Sequence, residues 1–201
     1  MKQNKSPIQY FNMALKYYEN NIYDKAIYYF KKSIIAKPID EFDFCDNIDT
    51  YIMIGMSFMS INDNSKENLE NIVYYYTLAL KNIHKINYIP KNKSSFKIIY
   101  DDLGIAYHML NDIPNAVKYY EKSINFDDNV SVTTYKNLIY IYRHITNEID
   151  KALHTALRFV HLNNQNAVLY NSADFIEFLI QNGADINTIN NEGDSYIRIR
   201  W

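Results

Sequence analysis

The sequence predicts an all-α fold in which helical hairpins repeat along the chain. Three observations lead to this prediction. One stretch of the chain resembles another that lies ninety residues further on, and only four glycines and four prolines interrupt 201 residues. In addition, apolar side chains recur with the spacing of stripes along helices. Long helices with short connections are expected from these features, and no sheet is expected.

The self-similarity is the strongest of the three observations. When the sequence is shifted by ninety positions, residues 25–34 lie over residues 115–124, and both have alanine, an aromatic residue and serine at the same places. The matching positions upstream are Tyr10, Met13, Ala14 and Tyr17 over Tyr100, Leu103, Gly104 and Tyr107. Each segment therefore predicts a hairpin of two amphipathic helices.

Small residues are expected at certain positions of these stripes for a physical reason. A small side chain within an apolar stripe lets two antiparallel helices cross closely. Ala14 and Ala26 are expected to mark this close contact in one hairpin, and Gly104 and Ala116 in the other. A glycine inside a helix costs about 1 kcal/mol relative to alanine, so Gly104 indicates a packing requirement.

The pattern resembles the tetratricopeptide repeat, in which a large residue, Leu-Gly and an aromatic residue precede alanine, an aromatic residue and often proline. Because such repeats are about 34 residues long, another unit must lie between the two segments, and Tyr51, Ile54, Gly55 and Phe58 repeat its first helix. The resemblance implies a right-handed α-α superhelix over residues 7–162. Its units are expected at residues 7–40, 48–86, 97–130 and 132–164, the last being the weakest.

Helix-end signals agree with these units. Ser6 and Pro7 suit the start of the first helix, and Pro38 suits the end of the second. Asp112 is expected to cap a later helix that has Pro114 in its first turn.

The C-terminal region, residues 165–201, allows two interpretations. Residues 172–197 resemble an ankyrin repeat, because residues 174–187 match its second helix and the following loop. Gly183 would then end the helix in a left-handed conformation. A single such unit cannot bury its own faces, so the other interpretation is a helix that caps the fourth hairpin.

Charge and cysteine content argue against several classes of protein. The net charge of −2 provides no basic face for a duplex nucleic acid, and Lys91, Lys93 and Lys97 are interpreted as a solvated loop. Cys45 is the only cysteine, so no intrachain disulfide is possible. No signal-peptide pattern or long apolar run is present. We therefore expect a cytoplasmic protein that binds neither nucleic acid nor membrane.

No motif predicts catalysis, a metal ion or a cofactor. His154 and His161 lie two helical turns apart, but the glutamate of a zinc-protease motif is missing. The acidic residues 40–49 lack the glycine and the final glutamate of a calcium loop. The four glycines stand apart and do not form a phosphate-binding loop. The sequence predicts a protein that is not an enzyme.

A partner-binding groove is what the resemblance implies. In tetratricopeptide stacks the first helix of each unit lines a concave groove through the face opposite the hairpin contact. The corresponding residues, here called the predicted row, are Phe11, Leu15, Tyr18, Ile52, Met56, Met59, Ile105, His108, Met109, Tyr140 and Arg143. This largely apolar row suits an amphipathic or apolar protein segment. For any one of these residues, the alternative is a place in the core between repeats.

The resemblance also allows one partner class to be examined. Chaperone-binding members hold a C-terminal carboxylate with lysine, asparagine and arginine at fixed groove positions. The matching residues are Phe11, Leu15, Met53, Ile98 and Asp102, none of which is such a donor. The resemblance therefore implies a scaffold or adaptor for a protein segment, without this carboxylate clamp. The alternative is a substrate-recognition or regulatory subunit of a larger enzyme complex.

Overall fold

The computed structural model describes residues 5–37, 47–85, 93–126, 131–162, 181, 184–189 and 195–199. The described helices are α1 (Pro7–Glu19), α2 (Tyr23–Ile35), α3 (Asn47–Ile61), α4 (Lys66–Lys85), α5 (Lys93–Met109), α6 (Ile113–Phe126), α7 (Val132–Tyr140) and α8 (Ile149–Leu162). A π-helical turn, Ile141–Ile145, extends α7. For the described residues up to 162, the predicted all-α fold of repeated helical hairpins is confirmed.

The chain forms two compact units, Met1–Ala116 and Val117–Trp201, with the boundary inside α6. In the first unit, α1 packs on α2, α2 on α3, α3 on α4, and α4 on α5. In the second unit, α7 packs on α8. The four repeat boundaries and the handedness of the superhelix remain predictions.

Small residues lie in the core of the first two hairpins. Ala14 and Ala26 are fully buried beside Phe30. In the second hairpin Gly55 takes the small position, and a Cβ atom there would lie only 2.7 Å from the ring of Tyr76. The close approach of this ring therefore requires glycine at position 55.

The second helix of each hairpin repeats one buried stripe. Its members are spaced by four and then three residues, which places them on one helix face. These buried residues are Ala26, Phe30 and Ser33 in α2; Ile72, Tyr76 and Ala79 in α4; Ala116, Tyr120 and Ser123 in α6; and Ala152, Ala156 and Phe159 in α8. The stripe is the common core element of all four hairpins.

One left-handed asparagine lies in the turn of every hairpin. The four are Asn21, Asn62, Asn111 and Asn147, with φ between 55° and 60°. Asparagine adopts this conformation more readily than other residues with a side chain. After α1, the backbone N–H groups of Asn21 and Ile22 donate to the carbonyls of Tyr18 and Tyr17 at 2.9 Å, which is a Schellman motif. The end of α5 has the same two bonds.

The predicted helix caps at Ser6 and Asp112 are confirmed. Ser6 and Gln9 form a capping box, with Pro7 in the first turn of α1. The backbone N–H of Asn115 donates to Asp112 Oδ1 at 3.2 Å. Pro38, expected to end α2, lies outside the described residues.

The prediction that no sheet would be present is wrong at the C-terminal end. Strands β1 (Ala184–Ile189) and β2 (Ser195–Ile199) pair antiparallel, with an irregularity between Asp185 and Thr188. Polar and apolar residues alternate over residues 184–187 and again over residues 197–199, and this is the pattern of strands. The ankyrin resemblance is not confirmed, and most of the predicted C-terminal helix, with Gly183, lies outside the described residues.

Candidate functional site

Helix α3 has one buried and one solvent-accessible face. Ile54 and Gly55 are buried, whereas Ile52, Met56 and Met59 are only partly buried. The last three residues are spaced by four and three positions and therefore share a face. On α3 the predicted row lies on the face that is not occupied by the hairpin core.

Helix α5 is divided in the same way. Leu103 and Ala106 are fully buried, whereas Met109 is 45% exposed and Ile105 is partly buried. His108 lies on the same side, and burial lowers the pKa of its imidazole, which favours the neutral form. This part of the predicted row is therefore uncharged.

Helix α1 contributes to the core as well as to the surface. Phe11, Leu15 and Tyr18 are partly buried and pack against the core of the first hairpin. The ring of Phe11 meets that of Phe30 edge-on, with centroids 5.3 Å apart. For these three residues, the alternative of a core position applies at least in part.

Tyr140 and Arg143 belong to the second unit. Tyr140 is 53% exposed, and its ring centroid lies 5.0 Å from that of His144. Arg143 is partly buried in the π-helical turn. None of the eleven residues of the predicted row is buried, so all of them have solvent access.

The carboxylate of Asp102, one of the residues at the clamp positions, interrupts the apolar face of α5. Asp102 is partly buried, and the hydroxyl of Tyr76 on α4 donates to its Oδ2 at 2.5 Å. Burial raises the pKa of Asp102 to about 6; the neighbouring Asp101 raises it further, and the bond from Tyr76 lowers it. Asp101 itself lies 3.0 Å from the Nζ atom of Lys97. Lys93 and Lys97 belong to α5, so the expectation that they lie in a solvated loop is wrong.

The signal for this carboxylate was present in the sequence. Asp101 and Asp102 follow Ile98 by three and four positions and precede Ile105 by four and three. They therefore share the face of these two apolar residues. Adjacent carboxylates at such positions indicate a polar feature in an otherwise apolar surface. The bond from Tyr76 could not be predicted, because it depends on how α4 and α5 cross.

Two concave regions lie outside the predicted row. An open groove of about 550 Å³ in the first unit is lined mainly by α4, including Val73, Tyr74 and Leu78, by Tyr107 of α5 and by Leu110, which follows that helix. Its lining includes no residue of the predicted row. The groove therefore belongs to a different surface of the first unit.

The second unit has a more polar pocket of about 410 Å³. In it, the hydroxyl of Tyr142 donates to Glu121 at 2.5 Å. The Arg158 guanidinium donates to the side chain of Asn125 and, at 2.6 Å, to the carbonyl of Ile124. These polar groups bond to one another and join the end of α6 to α8.

Within the described residues, no three His, Cys, Asp or Glu side chains are grouped so that they could hold a metal ion. The structure does not describe Cys45 or the side chains of His84 and His161. Of the helices that the structure describes, none is both long and apolar enough to cross a membrane.

The helices define a protein built of repeated helical hairpins, and the members of the predicted row are at least partly exposed on its first helices. No family model matches the chain, and neither does any curated protein. Among solved structures, the chain is similar to the complex of the TPR2AB domain of yeast Sti1 with pHSP90. The sequence identity is 14% and the TM-score 0.38, with 88% of this chain and 85% of that chain covered.

Proposed function

We propose that this chain is a cytoplasmic scaffold or adaptor that binds a segment of another protein and catalyses no reaction. The predicted row is the proposed binding surface. The observation that carries the proposal is that no member of this row is buried, although most members are apolar and their helix neighbours form the core. Apolar patches of this kind are typical of surfaces that a partner covers.

The side chains of the row indicate which kind of partner would fit it. Met56, Met59 and Met109 have flexible side chains that adapt to different apolar shapes. An amphipathic helix would place its apolar face against them.

A carboxylate-clamp chaperone interaction is not part of the proposal. Asp102 stands where the clamp needs a donor, and its carboxylate already accepts a bond from Tyr76. Two carboxylates that lie close together repel each other. The C-terminal carboxylate of a partner would therefore be disfavoured at this position.

Affinity purification with a matched pair of variants tests the proposal. Met56→Glu with Met109→Glu places two charges in the row, and we expect capture of the partner to fall by about tenfold or more. The control is Ile22→Glu with Ile145→Glu, whose side chains are 43% and 45% exposed against 45% for Met109. Leu15→Glu is unsuitable, because Leu15 packs against the core.

The control variant should retain the partner, and both variants should keep the helical circular dichroism melt of the unmodified chain. Equal capture by all three proteins would contradict the proposed surface. An enzyme that co-purifies stoichiometrically would instead indicate the alternative, a regulatory or substrate-recognition subunit.

A further inference from the structure

Tyrosine rings with lysine ammonium groups above them cover one side of the first hairpin. Tyr17 and Tyr29 stack with centroids 5.3 Å apart and planes only 5° from parallel. Lys25 Nζ lies 5.4 Å from the centroid of Tyr17, and Lys32 Nζ lies 5.5 Å from that of Tyr28. These distances are within the range of cation–π attraction.

The same arrangement continues onto the second hairpin. Lys31 Nζ lies 5.4 Å from the ring centroid of Tyr75 and 5.5 Å from that of Phe58. The rings of Tyr75 and Phe58 stack on each other at 6.0 Å, and Tyr74 meets Tyr75 edge-on at 5.0 Å. We call this surface the tyrosine–lysine belt; it consists of Tyr17, Lys25, Tyr28, Tyr29, Lys31, Lys32, Phe58, Tyr74 and Tyr75.

Charge is distributed unevenly between this hairpin and the rest of the chain. Residues 5–37 contain six lysines and only two carboxylates, Glu19 and Asp24, although the whole chain has a net charge of −2. In the part of the chain that the structure describes, no carboxylate forms an ion pair with Lys25, Lys31 or Lys32. The three lysines of the belt therefore contribute a local positive potential, and Asp24, next to Lys25, is the nearest carboxylate to them in the sequence of this hairpin.

We propose that the tyrosine–lysine belt is a second docking surface, separate from the predicted row, and that it binds an acidic segment of a partner protein. An ammonium group above a ring keeps N–H donors for a carboxylate. Tyr28 and Tyr74, which are 55% and 59% exposed, add hydroxyl donors beside these cations. Carboxylates of glutamate and aspartate form charge-assisted hydrogen bonds with such donors.

The ring geometry favours a protein over a single-stranded nucleic acid. Binding of unpaired bases relies on aromatic faces that are free to stack. In the belt, Tyr17 stacks with Tyr29 and Phe58 stacks with Tyr75. Lysines lie above the rings of Tyr17, Tyr28 and Tyr75. The belt thus provides cations and hydroxyl groups, while the faces of Tyr17, Tyr29, Phe58 and Tyr75 already contact other rings or lysines.

Fluorescence anisotropy with the whole chain tests this proposal. The probe is a fluorescein-labelled peptide of alternating glutamate and serine, compared with the same peptide carrying glutamine and with an oligouridylate of equal net charge. The glutamate peptide should bind, and its affinity should fall as salt rises. Changing Lys25, Lys31 and Lys32 together to glutamine should weaken binding by about tenfold or more.

Two further variants serve as controls. Changing Lys66, Lys118 and Lys136 to glutamine removes the same charge from exposed positions outside the belt, and it should leave the affinity within about twofold of the unmodified chain. Replacing the three belt lysines by arginine keeps the charge and the cation–π contact, and it should retain binding. Circular dichroism establishes that each variant remains folded.

Three results would overturn the proposal. The glutamate peptide does not bind, the oligouridylate binds as tightly as the glutamate peptide, or the belt and control variants lose the same amount of affinity. Binding that emerges only when the four carboxylates of residues 40–46 are neutralised would also overturn it, since the chain's own acidic link would then be the occupant.

Discussion

The carboxylate of Asp102 is partly buried, and burial destabilises its charged form. This destabilisation is the main reason why the pKa of Asp102 is about 6. The folded chain therefore binds a proton at Asp102 more tightly than the unfolded chain, in which the usual pKa of 3.8 applies. The contribution of Asp102 to the free energy of unfolding therefore rises as the pH falls through 6, and it levels off below about pH 4.

Asp102→Asn should remove this dependence. Asparagine retains an oxygen that accepts the bond from Tyr76 but has no charge to bury, so at about pH 7.5 the variant should be more stable, on the order of 2 kcal/mol. At about pH 4 the two proteins should be equally stable. Urea denaturation at both pH values measures the difference. Asp101→Asn is the comparison variant: Asp101 pairs with Lys97 on the same helix and adds only a smaller increase to the pKa of Asp102, so this variant should weaken the pH dependence without removing it. A less stable Asp102→Asn variant at pH 7.5 would mean that the hydrogen bond to the charged carboxylate outweighs its burial.

At the scale of elements, the hairpin turns are the most regular feature. Each contains one asparagine with positive φ at the end of its first helix. In the fourth hairpin the π-helical turn adds a residue before this asparagine, and the backbone N–H of Glu148 donates to the carbonyl of Tyr142 at 2.7 Å. The turn conformation is thus retained although the helix end differs.

Substitutions at Asn111 should separate backbone conformation from side-chain chemistry. Asn111→Gly should leave stability nearly unchanged, because glycine adopts positive φ without strain. Asn111→Ala should cost about 1 kcal/mol, since the alanine Cβ is crowded in this conformation. Asn12→Ala, at an exposed position inside α1, should cost nothing, because alanine has the higher helix propensity. Thermal melts measure all three. Equal effects of glycine and alanine at 111 would show that the turn does not depend on its backbone conformation.

The elements also show what the sequence could and could not predict. Apolar stripes predicted the helices, and the tetratricopeptide resemblance implied the predicted row, which includes Met56 and Met59. Asn21 and Asn111 lie in the same ninety-residue register, so the turns were predictable but were not sought. The strands were missed because the ankyrin resemblance assigned a loop to residues that alternate with a period of two.

The contacts between different helices could not be predicted from the sequence. The bond from Tyr76 to Asp102 and the cation–π contact of Lys31 with Tyr75 each join two helices. Periodicity reports the face of a helix on which a residue lies, but not which helix it meets.

At the scale of the whole molecule, the first unit carries most of the proposed function. Nine of the eleven residues of the predicted row lie in it, and so does the whole tyrosine–lysine belt. The row is largely apolar and the belt is cationic, so a partner that used both would need an apolar segment and an acidic one. We expect partner binding to depend mainly on residues before 117.

NMR of methionine methyl groups tests whether the partner covers the predicted row. The captured partner is titrated into the chain with ¹³C-labelled methionine methyls. We expect shifts for Met56, Met59 and Met109, and an unchanged position for Met13, which lies neither in the row nor at a clamp position. A shift of Met13 with constant signals from Met56, Met59 and Met109, while the partner binds, would contradict the proposed surface.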